Sequence, residues 1–417
     1  MSRPLTVTGA VRDGEQVALR CVEGKIEAIG PEVAAEPGDE AIDARGLLLS
    51  PPLVNGHTHA AMTLFRGSGG DLPLMPWLQE RIWPVEAKLE PEDVYWGARL
   101  ACAEMIRSGT TRFWDMYWHP EQTARAVADA GLRATIGAPL FDAGGEGEAM
   151  RESALASLEH LGGLGPAISP ALAPHAIYTV SEGFLRWIAE LAAERGVPIQ
   201  IHLSETSQEV QDCVAEHGER PAAYLDRLGF LGERTVLAHG VWLDPAELEL
   251  IAARNATVVT NPAANMKLAV GGVFPYPAAQ AAGVAVGLGS DGAGSNDSLD
   301  LLADLKLFAL AQKHAAADPA AIAAEDAWAV ATGARAPLLG APADPLSPGA
   351  DADFLLLRGS DPELAVGELA SNLVYAAAGA AVDTTVVAGR VLMRGRELPG
   401  LEEIIARAGE RAQRLGL

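Results

Sequence analysis

The chain has 417 residues, 49% apolar and 21% charged, which fits one large domain or two to three smaller ones around sizeable cores. A net charge of −24 argues against nucleic acid as a partner, because phosphate recognition needs clustered Lys and Arg. Cys21, Cys102 and Cys213 are too few and too far apart for a disulfide framework, no apolar run approaches the ~20 residues of a membrane span, and Met1-Ser2-Arg3-Pro4 leads into no signal core, so the expected compartment is the cytoplasm.

Residues 1–50 read as short strands and turns. Two β-type runs, 17–22 and 25–29, are joined by Glu23-Gly24. The C-terminal part returns to this texture, with strands over 353–357 and 384–388 and a turn at Gly389-Arg390 into Val391-Leu392-Met393. The two ends, 1–50 and 346–417, are expected to build one small β-sandwich domain, closed by a helix over 401–417.

Between them, residues 51–345 alternate short apolar runs with longer helical patterns, the texture of repeated β-α units. Eight candidate strands fall at 47–55, 110–117, 133–141, 168–174, 198–204, 235–239, 257–261 and 284–289. Pro91 opens one helix and Gly109 closes it; Ser181 opens another and Gly196 ends it. Eight units predict an α/β fold, a (β/α)8 TIM-like barrel. A long link after the first strand carries Leu74, Trp77, Leu78, Ile82 and Trp83 at helical spacing, consistent with core packing, an active-site lid, or both. Exposed Trp and Leu there would also suit a contact in a homo-oligomer.

Of nine histidines, His119, His160, His217 and His314 sit in helical or polar contexts and are expected in solvent. The other five end predicted strands: His57 and His59 the first, His175 the fourth, His202 the fifth and His239 the sixth. The eighth ends in Gly289-Ser290-Asp291-Gly292. In a barrel these ends meet on one face, where active sites lie, and five imidazoles with a carboxylate predict a metal site. The spacing of His57 and His59 lets both point to one side of a strand.

The segments Asn55-Gly56-His57-Thr58-His59, His202-Leu203-Ser204-Glu205-Thr206, Ala238-His239-Gly240-Val241-Trp242, Asn261-Pro262-Ala263-Ala264-Asn265-Met266-Lys267-Leu268 and Gly289-Ser290-Asp291-Gly292 span the chain in order. In this it resembles the amidohydrolase superfamily, in the branch of methylthioadenosine/S-adenosylhomocysteine deaminases and triazine chlorohydrolases. Pro52 departs from the usual Gly before the Leu-Val-Asn run, which alters a turn rather than the chemistry. The resemblance implies that His57, His59, His202 and Asp291 bind one divalent ion per subunit. Zn²⁺ is expected, and Fe²⁺ also suits such ligands. The ion would lower the pKa of a bound water towards ~7. His239 would orient the resulting hydroxide, Glu205 would shuttle its proton to the ring, and Asp291 would take the remaining proton.

The resemblance further implies that Glu86, in Trp83-Pro84-Val85-Glu86, accepts hydrogen bonds from ribose hydroxyls and that His175 contacts substrate. Trp83 and Trp77 would wall a purine or thioether. No basic residue follows the third strand until Arg151, which favours a neutral 5′ substituent over a homocysteine tail, unless Arg151 swings in. The expected activity is hydrolytic deamination of a 6-aminopurine nucleoside (methylthioadenosine, adenosine or S-adenosylhomocysteine). Deamination of a free base or pterin, or triazine dechlorination, is the alternative on the same scaffold. A non-catalytic relative would be expected to lose ligands first, and all four are present with Glu205.

Overall fold

Pro51 and Pro52 interrupt the apolar run that opens the chain's central part, and two residues without an amide N–H cannot continue a ladder. The computed structural model, which describes residues 3–68 and 71–417, accordingly splits the expected strand 47–55 in two. Leu47–Ser50 pairs antiparallel with Phe354–Arg358, Leu49 opposite Leu356, while Leu53–Thr58 pairs parallel with Thr110–Met116. The break sends one half to the terminal sheet and the other to the central strands.

The terminal sheet has eight strands. Arg390–Met393, Val382–Val387, Phe354–Arg358, Leu47–Ser50, Leu5–Arg12, Glu15–Val22 and Lys25–Gly30 follow one another, and Glu40–Asp43 pairs beside Leu5–Arg12. The strands from both ends are joined in one hydrogen-bonded sheet. The reason is the edge-to-edge pairing of Leu47–Ser50 with Phe354–Arg358, which makes the two groups of strands continuous. Leu5–Arg12 shifts register between Val7 and Ala10, around Gly9 at φ 74°, so its first half pairs with Glu40–Asp43 and Val11 with Leu48. Leu5, Val7, Leu19, Ile26, Phe354 and Leu356 fill its buried side.

The central strands form two parallel four-stranded arcs and a two-stranded parallel piece, Pro139–Leu140 with Ala173–Pro174, into which the expected strands 133–141 and 168–174 each send their second half. Leu53–Thr58, Thr110–Met116, Arg133–Gly137 and Ile168–Pro170 make the first; Ile199–Leu203, Thr235–His239, Thr257–Thr260 and Ala285–Leu288 make the second. Single contacts join the arcs rather than a ladder. Leu172 bridges Ile199 and Ala176 bridges His202, while Asp291 N donates to His57 O at 3.0 Å across the other seam. The strands are almost wholly buried, as expected of a parallel sheet covered on both faces.

Helices fill the links. Pro91–Ser108 starts with a capping box between Glu90 and Asp93 and stops at Gly109, left-handed at φ 92°. The link before it carries Leu74–Trp77, a π-helical turn over Leu78–Ile82, and Trp83–Glu86. Trp77, Leu78 and Ile82 are buried with Leu64 and Phe65, and with Ala408 and Leu415 of the closing helix Leu401–Leu415. No helix among the described residues is long and apolar enough to cross a membrane.

Candidate active site

His57 lies in the strand Leu53–Thr58 and His59 follows it; His202 lies in Ile199–Leu203; Asp291 follows Ala285–Leu288. One donor atom from each of these four residues lies within 4.8 Å of all the others. Asp291 Oδ1 is 3.4 Å from His57 Nε2 and 3.2 Å from His59 Nε2, and His202 Nε2 is 3.2 Å from His57 Nε2. Three imidazole nitrogens and one carboxylate oxygen thus face a common point.

The outward nitrogens set the tautomers. His59 Nδ1 donates to the Met116 carbonyl at 2.6 Å and His202 Nδ1 to the His175 carbonyl at 2.7 Å. A carbonyl only accepts, so each Nδ1 carries a proton and each Nε2 is the nitrogen turned toward the centre. Burial pushes His57 down to about 4 and His202 well below the ordinary imidazole range, so both are neutral, as ligation requires. Burial opposes a charge on His59 too, yet the adjoining Asp291 carboxylate outweighs it and raises that imidazole to about 9. Desolvation works against ionised Asp291, but His57 and His59 hold it well below the usual carboxylate range. A buried carboxylate kept ionised calls for a cation beside it. Three imidazoles, two of them with Nδ1 tied to a backbone carbonyl, and one such carboxylate fit a single divalent ion that keeps an open position, the ion taking the place of the proton that Asp291 draws to His59.

The surroundings hold this set in place. Ser295 Oγ donates to Asp291 Oδ2 at 2.6 Å, leaving Oδ1 for the cluster. Asn55 ties the two seam strands: its Nδ2 donates to Ser290 Oγ at 2.7 Å and its Oδ1 accepts from Ser290 N at 3.0 Å. Gln200 Nε2 donates to Gly56 O at 3.0 Å, beneath His57. His239 and Asp291 adopt left-handed φ of 75° and 59°, which turn the chain sharply as it leaves the two strands.

A cavity of about 580 Å³ opens above the cluster, within the range of small-molecule sites. His59, His202, Glu205, His239 and Asp291 line it, and so do the other predicted contacts Glu86, His175 and Trp83. Burial, then the charge of Asp291, raises the Glu205 carboxyl to about 8. Its Oε1 is 3.8 Å from His239 Nδ1. Glu86 is half-buried; desolvation raises its carboxyl, opposed by the Tyr117 hydroxyl and the Trp118 indole beside it. His175 Nδ1 lies 3.0 Å from Thr179 Oγ1, which itself donates to Ala176 O at 3.2 Å. The hydroxyl proton being committed, His175 Nδ1 is the donor and its Nε2 an acceptor.

Arg151 is the predicted contact that the structure does not bring in. Its guanidinium lies over the Trp187 ring at 4.7 Å and the Phe184 ring at 5.3 Å, packed between helices Gly147–Gly162 and Glu182–Arg195. Among the described residues, the cavity lining contains no Lys or Arg. His119, expected in solvent, is partly exposed and also lines the cavity mouth. Sequence reasoning also assigned nothing to Tyr117, Asn265 or Glu209. For Glu209 a signal existed, since Thr206-x-x-Glu209 is a capping-box pattern.

The family model described as "Amidohydrolase family" matches residues 48–392. The chain is 47% identical over 400 residues to a 5'-deoxyadenosine deaminase of Methanoregula boonei, covering 94% of this chain and 90% of that one. It is 40% identical over 415 residues to a 5-methylthioadenosine/S-adenosylhomocysteine deaminase of Pelotomaculum thermopropionicum, covering 98% and 95%. A crystal structure of an adenosine deaminase from Xanthomonas campestris with bound zinc superposes with a TM-score of 0.90 at 33% identity, over 99% of this chain and 98% of that one. The ligand quartet, the strand-end placement and these similarities agree: the chain belongs to the amidohydrolase family.

Proposed function

We propose that the protein is a metal-dependent aminohydrolase that deaminates a 6-aminopurine nucleoside, releasing ammonia and the inosine-type product. The observation that carries this is one cavity holding the ligand quartet, the Glu205 carboxyl and the Glu86 carboxyl together. The 40–47% identity to nucleoside-deaminating relatives supports the substrate class. Zn²⁺ is the proposed ion. When bound, it supplies Lewis acidity that brings a coordinated water's pKa towards ~7.

The chain's own residues do the rest. Glu205, buried in the cavity wall with Oε1 3.8 Å from His239 Nδ1, is placed to take a proton from water and pass it to the ring nitrogen beside C6. His239 holds the attacking oxygen against that carbon. Oxygen adds to C6; Asp291 accepts the second proton and returns it to the amino group; the C–N bond breaks and ammonia leaves. Glu86 accepts hydrogen bonds from the ribose hydroxyls, and His175 Nε2 offers a further acceptor. A lining without Lys or Arg suits a neutral 5′ group, 5′-deoxy or methylthio, better than a tail ending in a carboxylate.

In this reading residues 51–345 form the catalytic (β/α)8 barrel, closed from the two arcs, and residues 1–50 with 346–417 form a separate β domain. Three buried free thiols favour the cytoplasm. The test is Glu205→Gln. It is expected to lower kcat by about 10²–10⁴ with metal content and KM near wild type. Wild-type kcat in that variant would overturn the mechanism.

A further inference from the structure

Glu209 is a buried carboxylate that the proposed mechanism leaves without a task. It is the third residue of helix Ser207–His217, whose N-cap is Thr206, and Thr206 Oγ1 accepts from Glu209 N at 3.1 Å. In an ordinary capping box the glutamate side chain returns to the N-cap amide. Here it reaches further back along the chain. One oxygen, Oε1, accepts from Ser204 N at 2.7 Å, and the other, Oε2, accepts from Glu205 N at 2.9 Å.

Those two amides belong to the turn by which the chain leaves the strand Ile199–Leu203. Ser204 makes the turn with a left-handed φ of 51°, uncommon for a serine. Both oxygens of one carboxylate therefore hold the two successive residues that aim Glu205 into the cavity. Burial raises the Glu209 carboxyl to about 8, and the two amide bonds from Ser204 and Glu205 work against that rise.

We propose that Glu209 is a positioning residue for the reaction: it clamps the Ser204–Glu205 turn and so sets the direction of the Glu205 carboxyl. This rests on the reading of Glu205 as proton carrier. The clamp needs two acceptor oxygens. Glutamine supplies one, and its NH₂ would face an amide donor; alanine supplies none.

The experiment compares E209Q and E209A with E205Q and the double variant E205Q/E209Q, in the metal-loaded full chain. E209Q is expected to fold and bind metal as wild type and to lose about 10–10² in kcat with little change in KM, as for a displaced catalytic group. In the E205Q background the second substitution should cost nothing further, because a residue acting only through Glu205 has nothing left to position. Amide exchange should quicken at Ser204 and Glu205 in E209Q and E209A, while the strand Thr235–His239 keeps its protection. If E209A fails to fold, E209Q carries the exchange measurement. Unchanged kcat in E209Q, losses that multiply fully in the double variant, or unchanged exchange at both amides would each overturn the proposal. Wild-type kcat in E205Q would instead defeat the mechanism, so the two failures are distinguishable.

Discussion

His239 Nδ1 lies 2.8 Å from Asn265 Oδ1, so the short helix Pro262–Lys267 fixes an imidazole that ends the strand Thr235–His239. Asn265 is itself held by its N–H to Asn261 O at 3.0 Å. With the carbonyl oxygen of Asn265 accepting, His239 carries its proton on Nδ1 and keeps an Nε2 lone pair for the cavity. Asn265→Ala is expected to lower kcat by about 10–100-fold, the usual cost of losing a group that orients an active-site imidazole, with metal content unchanged. Steady-state kinetics beside metal analysis checks this; a kcat close to wild type would remove Asn265 from the site.

Glu86 bears on the ribose. Glu86→Gln keeps the size but replaces one acceptor by a donor. For nucleosides, kcat/KM should fall by about 10–100-fold, the scale of a lost hydrogen bond to a charged group. Any turnover of the free base should not move. An equal fall on base and nucleoside would mean that Glu86 supports the fold of the link rather than the sugar.

Arg151 stacks on Trp187, away from the cavity. Arg151→Ala is therefore expected to leave the ratio of kcat/KM for methylthioadenosine over S-adenosylhomocysteine unchanged. A selective loss on the homocysteine compound would show that the guanidinium leaves its ring partners when substrate binds.

Gly97 tests how the first ligand pair is supported. A Cβ there would stand 2.5 Å from Ala61 O and 3.0 Å from Ala61 Cα, so helix Pro91–Ser108 cannot approach the turn after His59 with a larger residue. Gly97→Ala is expected to destabilise by about 1–3 kcal/mol, read from the urea midpoint, through forced separation of backbone from backbone. An unchanged midpoint would mean that the helix shifts without cost.

Chelation should lower Tm, and Zn²⁺ should restore it, because an ion bound only by the native state stabilises it by mass action. A Tm insensitive to chelator and to added Zn²⁺ would contradict metal binding by His57, His59, His202 and Asp291.

Much of the site was legible because strand ends are legible. The apolar runs before His57, His202, His239 and Asp291 mark buried strands, and a parallel array carries its strand ends to one face. Helix Pro91–Ser108 was readable from Pro91 and Gly109 for similarly local reasons. What escaped depended on distant partners or backbone dihedrals. The break at Pro51-Pro52 needed the pairing of Leu47–Ser50 with Phe354–Arg358, more than three hundred residues away in sequence, and the same pairing joins the strands of both ends in one sheet. Arg151 was placed by position along the chain, while Trp187 on the next helix decides where its guanidinium goes. Asn265 sits in a recognised segment, but its partner His239 lies on another strand.

The most direct measurement is kcat/KM for ammonia release across 5'-deoxyadenosine, methylthioadenosine, adenosine, S-adenosylhomocysteine, guanine, cytosine and a chlorotriazine. The predicted result is a value above ~10⁴ M⁻¹s⁻¹ on a nucleoside with a neutral 5′ group, well above S-adenosylhomocysteine, the free bases and the triazine. Activity confined to a free base or the triazine would contradict the nucleoside assignment while leaving the metal centre standing.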